Sequence, residues 1–507
     1  MTDEGNRSQT LPQPRRGGWT LYLAVLAGFS LLYAFTTQTT VAWQDSGFFQ
    51  WRALHFDPRG EFGLALAHPL LIVAGKFFSM IPLGPLVWRI NLASALPAAA
   101  AVANITLLVR WLAPQPRWAA WIAGSTYGVA HTVWWLATIA ESQSLHVALF
   151  TGGLLAAVAI LRSPGWVAAL LLGLLSGLAV TAHDLALLAL PAWGLLVLGL
   201  CIRRKLAWYG LAAFVVGWAI GATALLVLVF EMAQQVGLPA AVQSALFGDR
   251  WRGDVLGGSG KAVVMGFGYV LYNLPNLALP MAAVGLARAW RIVPRALAWV
   301  LAYLLAAYFL FAIRYTVVDQ FMFFLPLYAM VAVFAGLGLA HLGQAPSRRW
   351  LGVTAAAMLL ATVALYAVAP SIWQGAKLPL PGRKDLAFRD AGRYWLTPWK
   401  QDENSADEFA RAALARLPED SIVIADTTSY IPLEWVRSQS HSPVRVWLGA
   451  TPDALIPGQE NVFVVSTAPS YHPAWLDEAA QFEPYQGGLL WRVEWSMPKR
   501  PAGVLED

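Results

Sequence analysis

The sequence predicts a polytopic α-helical membrane protein of about eleven transmembrane helices, followed by a small soluble α/β domain. Three observations carry this. Of 507 residues, 58% are hydrophobic and 13% charged, with a mean hydropathy of +0.53. A soluble domain carries about 25% charged residues, so an ordinary globule is excluded, as is a disordered chain. The charges are also divided: residues 1–382 hold 23 Lys and Arg against 11 Asp and Glu, whereas residues 383–507 hold 12 against 18. Finally, the first 382 residues contain repeated apolar runs of the length a bilayer requires.

The runs are 19–37, 87–109, 118–137, 143–161, 166–183, 185–202, 206–230, 263–286, 296–313, 320–342 and 350–369. Residues 62–81 are apolar too, but His68-Pro69 and Lys76 interrupt them. That stretch reads as a re-entrant or interfacial helix. With the N-terminus in the cytoplasm, the inside loops hold Arg7, Arg15, Arg16, Arg110, Arg117, Arg162, Arg203, Arg204, Lys205, Arg288, Arg291, Arg295, Arg348 and Arg349. Asp3 and Glu4 are the acids on that side. This positive-inside pattern places the domain of residues 383–507 outside the cell membrane, in the periplasm if the source is a bacterium. The pI near 9.4 then reflects topology and does not indicate a nucleic-acid partner. Cys201 is the only cysteine, so no intramolecular disulfide forms.

In the tail, Ser421–Asp426, Val444–Leu448, Asn461–Ser466 and Gly488–Trp495 read as strands. Tyr430–Ser438 and Trp395–Leu417 read as helices. The tail has no Gly-rich phosphate loop.

Ionisable residues at bilayer depth are costly and tend to mark sites. On the predicted outer side, Asp45, Glu141, Asp184 and Asp319 adjoin spans, together with His68, His183, Arg89 and Arg314. Asp45 suits a general base taking a proton from a hydroxyl, and equally a cap for the helix that follows. Glu141 suits a substrate contact or a carboxylate opening the next helix. His183-Asp184 suits a proton relay, a phosphate contact, or a turn with a satisfied histidine. Arg314 suits phosphate recognition or a local ion pair with Asp319. Arg89 requires a counter-charge, from Asp45 or a lipid phosphate. Glu231–Lys261, with glycines at 248, 253, 257, 258 and 260, suits a gate over a site or a solvated linker.

Several pieces together resemble a known family. They are Trp43-Gln44-Asp45-Ser46-Gly47, Ala67-His68-Pro69, Phe77–Gly84 running into Trp88–Leu96, Ala140-Glu141-Ser142, Gly177–His183, Tyr315–Asp319 and Phe323–Tyr328. Their order is similar to that of the protein O-mannosyltransferase-like membrane family, over about residues 20–340. The resemblance implies the GT-C glycosyltransferase fold, a polyprenyl-phosphate sugar donor, work at the outer membrane face, and an essential acid in the first outer loop, matched by Asp45. The chain departs from the family at Phe48, Leu70-Leu71 and Gln143, where an acidic residue, Pro-Gly and Tyr are usual. The acceptor side is therefore expected to differ.

The expected activity is transfer of a sugar, mannose in the first instance, to a hydroxyl of a protein, lipid or glycan. Asp45 is the base, and Arg314 or Arg89 faces the leaving phosphate. Glu141, His68, His183, Asp184 and Asp319 contact substrate. No cofactor is expected, because a monophosphate leaving group has less need of a metal. The other readings are a flippase or transporter of lipid-linked sugars and a membrane-anchored assembly protein.

Overall fold

The computed structural model describes residues 17–248, 251–344, 348, 350–376, 386–449, 461–465, 480–485 and 490–495. The chain forms two compact units. The first comprises residues 1–37, 52–379 and 395–401, and the second 38–51, 380–394 and 402–507. The division therefore does not fall at one point in the sequence: the segment 38–51, which follows the first helix, is part of the second unit.

The helices run α1 Gly17–Thr36, α2 Gln44–His55, α3 Pro69–Ser79, α4 Leu86–Leu112, α5 Arg117–Gly128, α6 His131–Ala137 and α7 Ser142–Arg162. They continue with α8 Trp166–Ala182, α9 Leu190–Ile202, α10 Trp208–Val236, α11 Leu238–Phe247, α12 Arg252–Leu256, α13 Gly260–Asn273 and α14 Ala278–Ile292. The remainder are α15 Arg295–Arg314, α16 Leu325–Leu342, α17 Trp350–Ala376, α18 Ala391–Leu396, α19 Ser405–Leu414 and α20 Tyr430–Ser440.

Among the described residues, eight helical segments are long and apolar enough to cross a bilayer. The other three of the eleven predicted runs are where the backbone breaks or falls short. Run 118–137 divides into α5 and α6, run 263–286 into α13 and α14 at a bend of 100°, and run 166–183 is a helix of 17 residues. Residues 64–79 form a short apolar helical stretch below spanning length.

A broken helix in an apolar medium frees backbone groups that require partners. Side chains supply them here. The Tyr33 hydroxyl donates to the Gly128 carbonyl at 2.8 Å. Asn273 Oδ1 accepts from the Thr132 N–H at 2.7 Å. The Tyr366 hydroxyl accepts from the His131 N–H and donates to the Tyr272 carbonyl at 3.0 Å, so one buried phenol serves both breaks.

Interior and outward-facing helices separate by burial. The span Gln320–Leu342 is 89% buried, whereas Gly18–Thr36 is 17% buried and exposes Leu23, Leu31 and Phe35. Helices pack closely where glycine removes the side chain. On α8 and α10, a Cβ at Gly173, Gly177, Gly217 or Gly221 would sit 2.0–2.4 Å from a carbonyl oxygen of the facing helix. Gly285 on α14 and Gly338 on α16 make the same kind of approach. Small residues at such crossings are how helices associate in lipid.

The second unit holds a five-stranded sheet of order β2-β1-β3-β5-β4. Its strands are β1 Ile422–Ala425, β2 Arg445–Leu448, β3 Val462–Val465, β4 Ala480–Tyr485 and β5 Leu490–Trp495. β1 pairs parallel with β2 and β3, whereas β5 pairs antiparallel with β3 and β4. Fully buried Ile422–Ala425 and Val462–Val465 match the continuous apolar runs of parallel strands. Sequence reading missed β4, whose Glu483 and Pro484 disguise it. Pro is tolerated there because β4 is an edge strand. The single helix expected over 395–417 is instead α18 and α19, separated by residues 397–404 around Pro398.

Candidate active site

The predicted site residues fall in both units: Asp45 in the second, all others in the first. Each group is described within its own unit.

Asp45 is exposed and lies in the first turn of α2, directly after Gln44 at φ 55°. The residues beside it are fixed by the rest of the second unit. The Trp43 indole N–H donates to Ser405 Oγ at 2.8 Å, and its ring lies 5.1 Å from that of Phe409. Gln38 and Thr40 donate to the Glu403 carbonyl, each at 3.1 Å. The Ala42 N–H donates to Gln50 Oε1 at 2.9 Å. Phe48 faces Tyr430, and Trp51 faces Trp435. A Cβ at Gly47 would sit 2.3 Å from the Ala42 carbonyl, which explains the glycine two residues after Asp45.

In the first unit, His68, His183 and Asp184 come together. His68 adopts the left-handed conformation (φ 43°, ψ 51°) at the start of α3. Such a backbone in a non-glycine residue costs of order 1–3 kcal/mol and persists only where surroundings impose it. The imposing contact runs from His68 Nδ1 to the Ala182 carbonyl at 2.9 Å. A carbonyl only accepts, so Nδ1 carries the proton and Nε2 the lone pair. Ala182 ends α8, so His68 also satisfies a terminal carbonyl. Burial, followed by nearby His183 and Arg52, holds His68 well below the ordinary histidine range and keeps it neutral.

His183 follows, with its ring centroid 4.8 Å from that of His68. Its Nδ1 lies 2.6 Å from Asp184 Oδ1 and 3.1 Å from the Leu185 N–H. One nitrogen cannot serve both contacts. A protonated Nδ1 donates to Asp184 and an unprotonated one accepts from the Leu185 N–H, so the partner of this nitrogen changes with its proton.

The group extends through Phe323, 5.7 Å from His183, to Tyr315, 4.3 Å from Phe323. Burial raises the Tyr315 phenol first, and Asp184, Asp254 and Asp319 raise it further, so three carboxylates act on one hydroxyl. Asp319 precedes the short turn Gln320–Phe324.

His146 on α7 is a member that sequence reading missed. Its ring lies 6.0 Å from His183 and 6.4 Å from Tyr308. It is fully buried, and among the described residues neither ring nitrogen has a hydrogen-bond partner. The available signal was the polar opening Ser142-Gln143-Ser144 of an otherwise apolar span. Among the described residues, no three His, Cys, Asp or Glu side chains converge as metal ligands do.

Glu141 is buried at the start of α7, and its backbone exchanges two 2.9 Å hydrogen bonds with the Ser94 hydroxyl on α4. Arg89 is placed elsewhere. It donates to the Ser79 and Ile81 carbonyls at the far end of α3 from His68, about 16 Å away along that helix. Arg314 donates to the Val255, Leu256 and Gly257 carbonyls, and Thr316 donates to Asp254 Oδ1 at 2.9 Å. The glycine-rich loop is thus tethered at residues 254–257, while Asp249 and Arg250 lie outside the described residues.

Residues 64–205 match the family model for the protein O-mannosyl-transferase TMEM260 N-terminal domain. That stretch contains His68, Arg89, Glu141, His146, His183 and Asp184. No curated protein sequence matches the chain. Two solved structures of ArnT from Cupriavidus metallidurans are similar in fold, one in the apo state and one bound to undecaprenyl phosphate. Each aligns with a TM-score of 0.60 at 13% identity, covering 94% of this chain and 98% of that one. The chain is an integral membrane protein with an ArnT-like fold, and its residues 64–205 match the family model for the protein O-mannosyl-transferase TMEM260 N-terminal domain.

Proposed function

We propose that the protein is a membrane glycosyltransferase that moves a sugar from a polyprenyl-phosphate donor to an acceptor hydroxyl on the extracytoplasmic face. The observation that carries the proposal is the fold, aligned over 94% of the chain with ArnT, whose complex with undecaprenyl phosphate is solved. The match of residues 64–205 to an O-mannosyl-transferase family supports mannose as the first sugar to try. The arginines of the short loops support a cytoplasmic N-terminus.

Asp45 takes the proton of the acceptor hydroxyl. The freed oxygen attacks the sugar C1 as the bond from C1 to the phosphate oxygen breaks. The electron pair leaves with the polyprenyl phosphate, and the anomeric configuration inverts. A positioned base contributes about 10²–10⁴-fold to such a step. His183, beside Asp184, is the candidate contact for substrate hydroxyls, with His68 as its neighbour in the cluster. Arg314 is the exposed cation beside Tyr315 and remains the candidate for the donor phosphate. Arg89 is committed to the end of α3 and is a weaker candidate. The leaving group carries one phosphate, so the reaction proceeds without a metal.

The test is incubation of purified protein with radiolabelled undecaprenyl-phosphate sugars, mannose first. Time-dependent release or transfer of sugar is expected. Saturable binding without turnover across the panel contradicts the reading and favours a lipid-sugar transporter.

A further inference from the structure

The residues that matter for Asp45 are not confined to the first outer loop. The segment 38–51 is packed into a unit made otherwise of residues after 380, and it is held there on both sides of Asp45, by Trp43 before it and by Phe48 and Trp51 after it. Trp43 and Ser405 are both buried, and their 2.8 Å bond joins residues 362 apart in sequence. The Ser405 hydroxyl in turn donates to the Glu403 carboxylate, and the Ser405 N–H lies 3.3 Å from the same oxygen. This is a directed chain: indole N–H to hydroxyl, hydroxyl to carboxylate. Each donor has one acceptor, so the indole plane has one satisfied orientation. The Thr40 hydroxyl lies within hydrogen-bond distance of both the Glu403 carbonyl and Asn404 Oδ1, and Gln44 Nε2 lies 3.5 Å from Thr428 Oγ1, bracketing Trp43 on both sides. The left-handed Gln44 then turns the chain so that Asp45 is presented to solvent while Trp43 is held inside.

We infer that Trp43, Ser405 and Glu403 are positioning residues that hold the Asp45 carboxylate in its working orientation, making the domain after residue 400 part of the catalytic apparatus. This rests on the reading of Asp45 as the base and adds that the base is set from the C-terminal side. Neither Trp43 nor Ser405 touches substrate in this account. A base displaced by about 1 Å loses on the order of 10²-fold in rate. Removing one hydrogen bond while the ring stays packed on Phe409 displaces it less.

The experiment compares full-length Ser405→Ala, Ser405→Thr, Trp43→Phe and Asp45→Asn with wild type. It uses the undecaprenyl-phosphate sugar that wild type turns over, and hydrogen exchange over residues 40–50. Ser405→Ala and Trp43→Phe are expected to lower kcat about 10-fold or more, with donor KM changed less than about two-fold. Ser405→Thr keeps the hydroxyl and restores most of the rate. Exchange over 40–50 rises in Ser405→Ala and is unchanged in Asp45→Asn. Wild-type kcat in Ser405→Ala and Trp43→Phe, with Asp45→Asn inactive, overturns this inference and leaves the base reading intact. Equal losses in Ser405→Ala and Ser405→Thr, or unchanged exchange in Ser405→Ala, overturn it as well. Full turnover by Asp45→Asn overturns the base reading, and this inference falls with it.

Discussion

Gly177→Ala tests the link between helix packing and the site. A Cβ at Gly177 would sit 2.1 Å from the Trp218 carbonyl oxygen and 2.8 Å from the Ala222 nitrogen. Both are backbone atoms of α10, so no side chain can rotate away. Real Cβ contacts essentially never fall under 3.0 Å, so α8 and α10 must separate by about an ångström. The 2.9 Å bond from the Thr181 hydroxyl to the Gly221 carbonyl stretches with them. Overpacking of this kind costs about 1–3 kcal/mol. The movement also reaches the site, because α8 ends at Ala182, whose carbonyl holds His68, and His183 follows directly. The assay is thermal unfolding in detergent together with donor turnover, with Gly194→Ala as the control. Gly194 is also helical, but a Cβ there meets nothing within 4 Å. Gly177→Ala should lower both the unfolding midpoint and turnover, and Gly194→Ala neither. A Gly177→Ala protein with the wild-type midpoint would refute the close-packed crossing.

Two further predictions concern pH and metal. His68 is held neutral by burial and by the nearby His183, Arg52 and His146, so its native pKa lies below the unfolded value of 6.5. Above that value both states are neutral and His68 contributes no pH dependence. Below it the unfolded chain binds a proton that the native chain refuses, and stability falls by up to about 1.4 kcal/mol per pH unit until the native pKa is reached. His68→Asn tolerates the left-handed backbone and removes the ring, so its midpoint should fall less between pH 6.5 and 5. Superimposable acid slopes would show that His68 is not the group responsible. As for metal, EDTA-treated protein should transfer sugar at the untreated rate, with no gain from Mg²⁺ or Mn²⁺. Abolition by EDTA with restoration by either ion would refute metal independence.

Much of the fold was legible because a bilayer imposes its length on the sequence. Runs such as 87–109 and 320–342 cannot be read otherwise, and both form long buried helices. Hydropathy does not report continuity of the backbone. Nothing in the apolar character of 118–137 signals the break after Gly128, because its freed groups are met by Tyr33, Tyr366 and Asn273 from distant spans. The site was legible where a polar residue stood out against apolar neighbours, as His68 and His183-Asp184 do. His146 was lost because one histidine inside a span carries no period or spacing. Arg89 suggests an anion as a cation near a membrane edge, and the structure shows its Nη1 donating to two backbone carbonyls near the end of α3. The bond from Trp43 to Ser405 lay beyond sequence reasoning, since only folding brings the two together.

The most direct test of the account is turnover and stereochemistry with a single donor. Wild type and Asp45→Asn are given the undecaprenyl-phosphate sugar that supports transfer, and the anomeric configuration of the product is determined by NMR. The account predicts an inverted product from wild type and a loss of about 10²-fold or more in Asp45→Asn, with donor binding retained. Retention of configuration, or undiminished turnover by Asp45→Asn, would contradict it.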